Sequence, residues 1–149
     1  MATTRLLQRI FAALACAVAL PAFAGECRLA LKDGWISLPP VPEPTVLAGY
    51  GRIENPCARA AVVVSVQSPV FGHAMVHESS VVDGVSRMRM LDELPIAAKG
   101  DAVFAPGGLH LMLMHPSAPV KEGDRIAVTF KLKDGDEVSG ELVVKKAAP

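Results

Sequence analysis

Nine side chains able to hold a soft metal ion fall between positions 73 and 115. They are His73, His77, His110 and His115, with Met75, Met88, Met90, Met112 and Met114. No other histidine occurs in the chain, and no other methionine besides Met1. Imidazole nitrogen and thioether sulfur are neutral donors, and a site with two or more thioethers selects Cu(I). Zinc would more often recruit thiolate or carboxylate beside histidine. Calcium and magnesium need clustered oxygen ligands, which this window lacks. Neutral ligands leave bound Cu(I) with about one positive charge, which favours a partly solvated site over deep burial. Taken singly, each methionine also fits a core and each histidine a polar surface.

The spacing separates these readings, because side chains on a strand alternate between two faces. His73, Met75 and His77 share one face. Met88 and Met90 share a face, with Arg87 and Arg89 opposite. His110, Met112 and Met114 share a face, with Leu109, Leu111 and Leu113 on the other. Three strands thus each offer a His/Met face, and a pocket forms if those faces converge at one end of a sandwich.

No segment after the first 24 residues keeps apolar residues at helical spacing for three turns. Short β-branched runs recur instead between Gly, Pro and Asx signals. Strands are predicted at 28–31 extended by 35–38, then at 46–53, 60–66, 72–78, 85–90, 101–104, 109–114, 126–132 and 137–144. Asp134-Gly135 marks a hairpin between the last two. Asn55-Pro56 and Pro106-Gly107-Gly108 mark turns. Pro39 to Pro44 reads as a rigid loop. Eight or nine short strands predict an all-β, Greek-key sandwich of cupredoxin-like or immunoglobulin-like type in a single domain over 25–149.

The first 24 residues read as an address. Arg5 and Arg9 precede an apolar run from Ile10 to Leu20, and Pro21 and Ala22-Phe23-Ala24 follow. This is the pattern of a secretory signal peptide, with cleavage predicted after Ala24 and a periplasmic destination. The run is too short to cross a bilayer, which takes about 20 residues, so no membrane span is expected in the mature chain. A lipoprotein would carry its lipid on Cys16, but Ala13-Leu14-Ala15 is a poor match to the usual leucine-led box. Loss of the leader leaves Cys27 and Cys57, which an oxidising compartment is expected to join. Thiols that pair are lost as ligands, whereas a thioether cannot form such a bridge.

Composition narrows the function classes. The 149 residues carry 15 Lys+Arg and 15 Asp+Glu, and aromatic residues are only 5%. A nucleic-acid binder would show a basic stripe or a stacking surface, and neither is present. No Ser-His-Asp order, phosphate loop or paired-carboxylate signature stands out, so the chain reads as a carrier rather than an enzyme. Asp92 and Glu93 read as solvated turn residues.

His77, Met88, His110 and Met112 stand in the order H-x10-M-x21-H-x-M. That pattern resembles the periplasmic copper chaperone family called PCuAC. The context agrees: Trp35, Pro39-Pro40, Ala48-Gly49-Tyr50 and Asn55 in the first half, then Asp83-Gly84-Val85, Pro106 to Met114, and Lys121-Glu122-Gly123-Asp124. The resemblance covers about 35–144. It implies a cupredoxin-like fold, Cu(I) bound by His77, Met88, His110 and Met112, and delivery of copper to cytochrome c oxidase or its assembly factors. Met75, Met90 and Met114 would then be supporting or core residues, and His73 and His115 surface residues. Ser79 and Ser86 stand where many relatives carry further methionines. The end at Lys145-Lys146-Ala147-Ala148-Pro149 lacks the His/Met-rich tail of some relatives. Two other classes stay open: a metal-free adhesion or assembly module on an immunoglobulin-like sandwich, and an electron-transfer cupredoxin, which would need a cysteine thiolate beside two histidines.

Overall fold

The structure, a computed structural model, describes residues 27–147. The expected leader, its cleavage after Ala24 and Cys16 lie outside the described residues. The rest folds as ten strands with no helix among the described residues. They are β1 (Ala30–Leu38), β2 (Val46–Glu54), β3 (Ala61–Gln67), β4 (Phe71–Val82), β5 (Val85–Met90), β6 (Leu94–Ile96), β7 (Asp101–Phe104), β8 (Leu109–Pro116), β9 (Arg125–Leu132) and β10 (Glu137–Lys146). They pair in the order β5-β4-β8-β7-β2-β1-β10-β9-β3-β6, and β8 also pairs with β2. The β1–β10 and β7–β8 pairs are parallel and the others antiparallel. The all-β class with crossed connections is the one expected.

Alternation fills a single core. Leu111 and Leu113 of β8, Val76 of β4 and Leu47 of β2 meet Ile126, Val128, Phe130 and Leu132 of β9 and Leu142 and Val144 of β10. Phe130, Leu113 and Leu142 are fully buried. Two bulges keep this pattern where strict alternation would break it. In β1 the register with β2 slips between Lys32 and Trp35, at Asp33, whose φ is 52°. The extra residue lets Leu31 and Ile36, of opposite parity, both pack on the core. Gly34 beside it has no room for a side chain: a Cβ there would lie 2.7 Å from the Glu141 carbonyl oxygen. In β3 a slip between Val63 and Ser65 likewise lets Val63 and Val66 both turn inward.

Cys27 and Cys57 form the expected disulfide, with Cα atoms 5.5 Å apart. It ties the segment before β1 to the loop after β2. Asn55, the one buried polar residue among those described, shapes that loop. Its side-chain amide donates to the carbonyls of Arg59 and Ala97, each at 2.9 Å, and its oxygen accepts the Cys57 N–H at 3.1 Å. Glu93, expected as a solvated turn residue, is exposed and pairs with Lys133 at 2.7 Å.

Candidate metal centre

Register gathers the His/Met residues of β4, β5 and β8 onto one outer face of the sheet. In the β4–β8 pair, His77 lies opposite His110, Met75 opposite Met112 and His73 opposite Met114. Val76 and Leu111, one residue along, lie opposite each other and are buried in the core. Across the other edge of β4, His77 lies opposite Met90 and Ser79 opposite Met88. None of the five methionines belongs to the buried core. Met88 and Met90 are about half exposed, at 54% and 52%, on the edge strand β5, every residue of which is exposed. Glu78 and Arg89, of opposite parity to the His/Met residues, fasten β5 to β4 through an ion pair of 2.6 Å. The convergence expected at one end of a sandwich is therefore made on the flank of the sheet, beside its β5 edge.

A cleft of about 330 Å³ on this flank is lined by Met88, His110 and Met112, with Ser37, Pro39 and Ala48 from β1, the loop after it, and β2. His77 and His110 have ring centroids 5.8 Å apart, at an interplanar angle of 61°. Imidazole–metal bonds of about 2.0–2.1 Å put each centroid roughly 3 Å from the ion, so two rings sharing one metal have centroids about 5–6 Å apart. The pair already stands at that separation. The structure thus brings all four expected ligand positions to adjoining places: His110, Met88 and Met112 in one cleft, and His77 beside His110.

The two imidazoles are prepared differently. His110 Nδ1 lies 3.0 Å from the Gly108 carbonyl oxygen. A proton on Nδ1 donates there and leaves the Nε2 lone pair free, the arrangement that orients metal-binding histidines. The same carbonyl accepts the Ser79 N–H at 3.0 Å, which links the turn before β8 to β4. In His77 both ring nitrogens are covered and meet no hydrogen-bond partner. Burial, and then the proximity of His110, lower its proton affinity below the usual histidine value. Both effects favour the neutral imidazole, whose ring nitrogens have no partner in the fold.

Among the described residues no group of three or more His, Cys, Asp or Glu is placed to hold a metal. The thioethers of Met88 and Met112 line the cleft that His110 shares. The remaining residues of the window are also on this flank. Met75 and Met90 line a separate cleft of about 280 Å³ with Val64, Val66 and Leu91. His73 and His115 are exposed, as expected.

Sequence comparison matches residues 29–144 to the family described as "Putative lipoprotein LpqE-like". The chain belongs to the LpqE-like family. A curated relative, "Putative lipoprotein Lxx21020" of Leifsonia xyli subsp. xyli, is 31% identical over 99 residues, and the match takes in 66% of this LpqE-like chain and 60% of that protein. The chain thus spans less than two thirds of that relative's length. Among solved structures, apo-DR1885 of Deinococcus radiodurans is 25% identical with a TM-score of 0.62, covering 98% of this chain and 97% of the other. The Cu(I) form of DR1885 is 26% identical with a TM-score of 0.59, covering 88% and 83%. The copper-bound PCuAC domain of PmoF2 is 21% identical with a TM-score of 0.62, covering 80% and 92%, and shares the fold. These likenesses support the cupredoxin-like β fold read from the sequence.

Proposed function

We propose that this LpqE-like chain is an exported Cu(I) carrier that binds one cuprous ion through His77, Met88, His110 and Met112. The observation that carries the reading is the unpartnered His77 imidazole beside His110, with Met88 and Met112 at the adjoining cleft. A buried polar atom without a partner calls for an explanation, and a soft cation between these donors supplies one. The solved Cu(I) form of DR1885 supports the same cargo.

The geometry suits carriage better than permanent residence. Met112 sits on a central strand between β4 and β2, so it is a fixed donor. Met88 stands on the exposed edge strand, so a partner's ligand can replace it first. Copper would pass through a shared intermediate, with each leaving bond matched by an arriving one and no change of oxidation state. The receiving protein is read as cytochrome c oxidase or one of its assembly factors. An electron-transfer role lacks its thiolate, because both cysteines among the described residues are joined in the disulfide. Export to the periplasm is supported by the leader pattern, the disulfide and the family's lipoprotein description.

Anaerobic titration of the protein with Cu(I) against a chromogenic chelator tests this. One equivalent is expected to be held tightly, and a Met88→Ala/Met112→Ala variant is expected to yield it to the chelator. Full retention by that variant, or failure of the wild type to compete, contradicts the reading.

A further inference from the structure

The same face carries a second imidazole pair that the proposed ligand set leaves unused. His73 of β4 and His115 near the end of β8 have ring centroids 5.7 Å apart, at an interplanar angle of 75°. This nearly equals the His77–His110 separation, and it too lies in the range of about 5–6 Å for two rings sharing one ion through bonds of about 2.0–2.1 Å. Both rings are exposed, and Met114 lies directly opposite His73 in the β4–β8 register.

The backbone at His115 is shaped for this meeting. Strict alternation along β8 would carry its side chain to the side of Leu113, away from His73. Instead His115 has a φ of 55°, in the left-handed region that residues other than glycine seldom adopt and that histidine tolerates better than most. Its N–H donates to the Thr45 carbonyl at 2.9 Å, which holds that conformation against the segment entering β2. Local strain of this kind gathers at ligand clamps.

Between the two pairs, Met75 and Met112 face each other across the same strands. His73 and His77 are four residues apart on β4, or roughly 13 Å at the rise of a strand. A soft ion passing from the His73–His115 pair to the His77–His110 pair therefore meets thioether sulfur on the way.

We propose that His73, His115 and Met114 form a second, solvent-open Cu(I) station, from which the ion reaches the His77–His110 centre by way of Met75 and Met112. It rests on the proposed function for the identity of the metal and for the centre that the station feeds. It binds more weakly than the main centre, having three donors rather than four and both imidazoles in water. Cu(I) remains Cu(I) throughout, with bonds to nitrogen and sulfur exchanged and no electron moved.

The test is Cu(I) titration of the protein, followed by methionine methyl and histidine ring NMR signals, with a weak competing chelator to count equivalents. The wild type is expected to bind a second equivalent that shifts Met114, His73 and His115. A His73→Gln/His115→Gln variant is expected to lose that equivalent and keep the first. A His77→Ala/His110→Ala variant is expected to lose the tight equivalent and keep the weak one. Absence of any equivalent that shifts Met114, His73 and His115 overturns the station, as does such an equivalent that survives in the His73/His115 variant or disappears with His77 and His110. Loss of tight binding by the wild type with the weak equivalent intact would instead overturn the main centre and leave the station standing.

Discussion

Replacing His77 with alanine is expected to abolish tight Cu(I) binding while leaving the metal-free protein as stable as before or more so. Removing an outer-shell partner of a metal ligand costs roughly 10–100-fold in affinity, and loss of a ligand itself should exceed that. Stability moves the other way because the wild-type imidazole keeps two covered nitrogens without partners. A buried unsatisfied polar group costs about 1–3 kcal/mol, and alanine removes it. The pH dependence has a definite sign. The folded-state proton affinity of His77 is lowered from the ordinary histidine value of 6.5, chiefly by burial, so the unfolded chain takes up the proton more readily. The resulting stability is fully present above pH 6.5 and drains away as pH falls through the lower folded value. The variant should therefore lose less stability on acidification than the wild type. Chelator competition and thermal melts between pH 7.5 and 5 read both effects. Unchanged copper retention would contradict the ligand assignment, and a large loss of stability at pH 7.5 would show that His77 is a structural residue.

The second large effect belongs to the disulfide. Cys27 and Cys57 are 30 positions apart. The chain-entropy model assigns about 3–4 kcal/mol to closing a loop of that size. For a domain this small, a Cys27→Ser/Cys57→Ser variant should melt roughly 10 °C lower. Copper affinity should be unaffected. The cleft beside the disulfide is lined by Arg59, Leu132 and residues 134–138, and none of the His/Met residues reaches it. Melts of wild type and variant, each followed by a Cu(I) titration, separate the two roles. Coincident melting curves would contradict the stabilising role, and loss of copper binding in a folded variant would contradict the separation.

Alternation carried much of the architecture. Leu109 to Met114 reads as one strand with leucines inward and His/Met outward, and β8 has that arrangement because a two-residue period leaves no other way to bury Leu111 and Leu113. The β5 strand runs over Val85–Met90, as predicted. The short β6 was missed because Pro95 occupies its middle. Proline cannot donate to a ladder and is confined to edges, and β6 is an edge strand of three residues paired only with β3. The run at 28–31 extended by 35–38 is a single strand, as the sequence suggests, but the bulge between Lys32 and Trp35 that carries the strand through was not legible. In the candidate centre, the residue types and their shared faces were legible. The place of the site on the sheet's flank was not, since it depends on which strands become neighbours. Nor was the Gly108 carbonyl that orients His110, or the turn at His115 that brings its ring to His73. These are products of tertiary backbone geometry, on which periodicity is silent.

X-ray absorption of the protein loaded with one equivalent of Cu(I) addresses the copper centre most directly, because it counts the atoms bound to the metal. The expected first shell is two nitrogens and two sulfurs, with one sulfur lost in Met112→Ala and one nitrogen in His110→Ala. A shell of nitrogen and oxygen alone would contradict it.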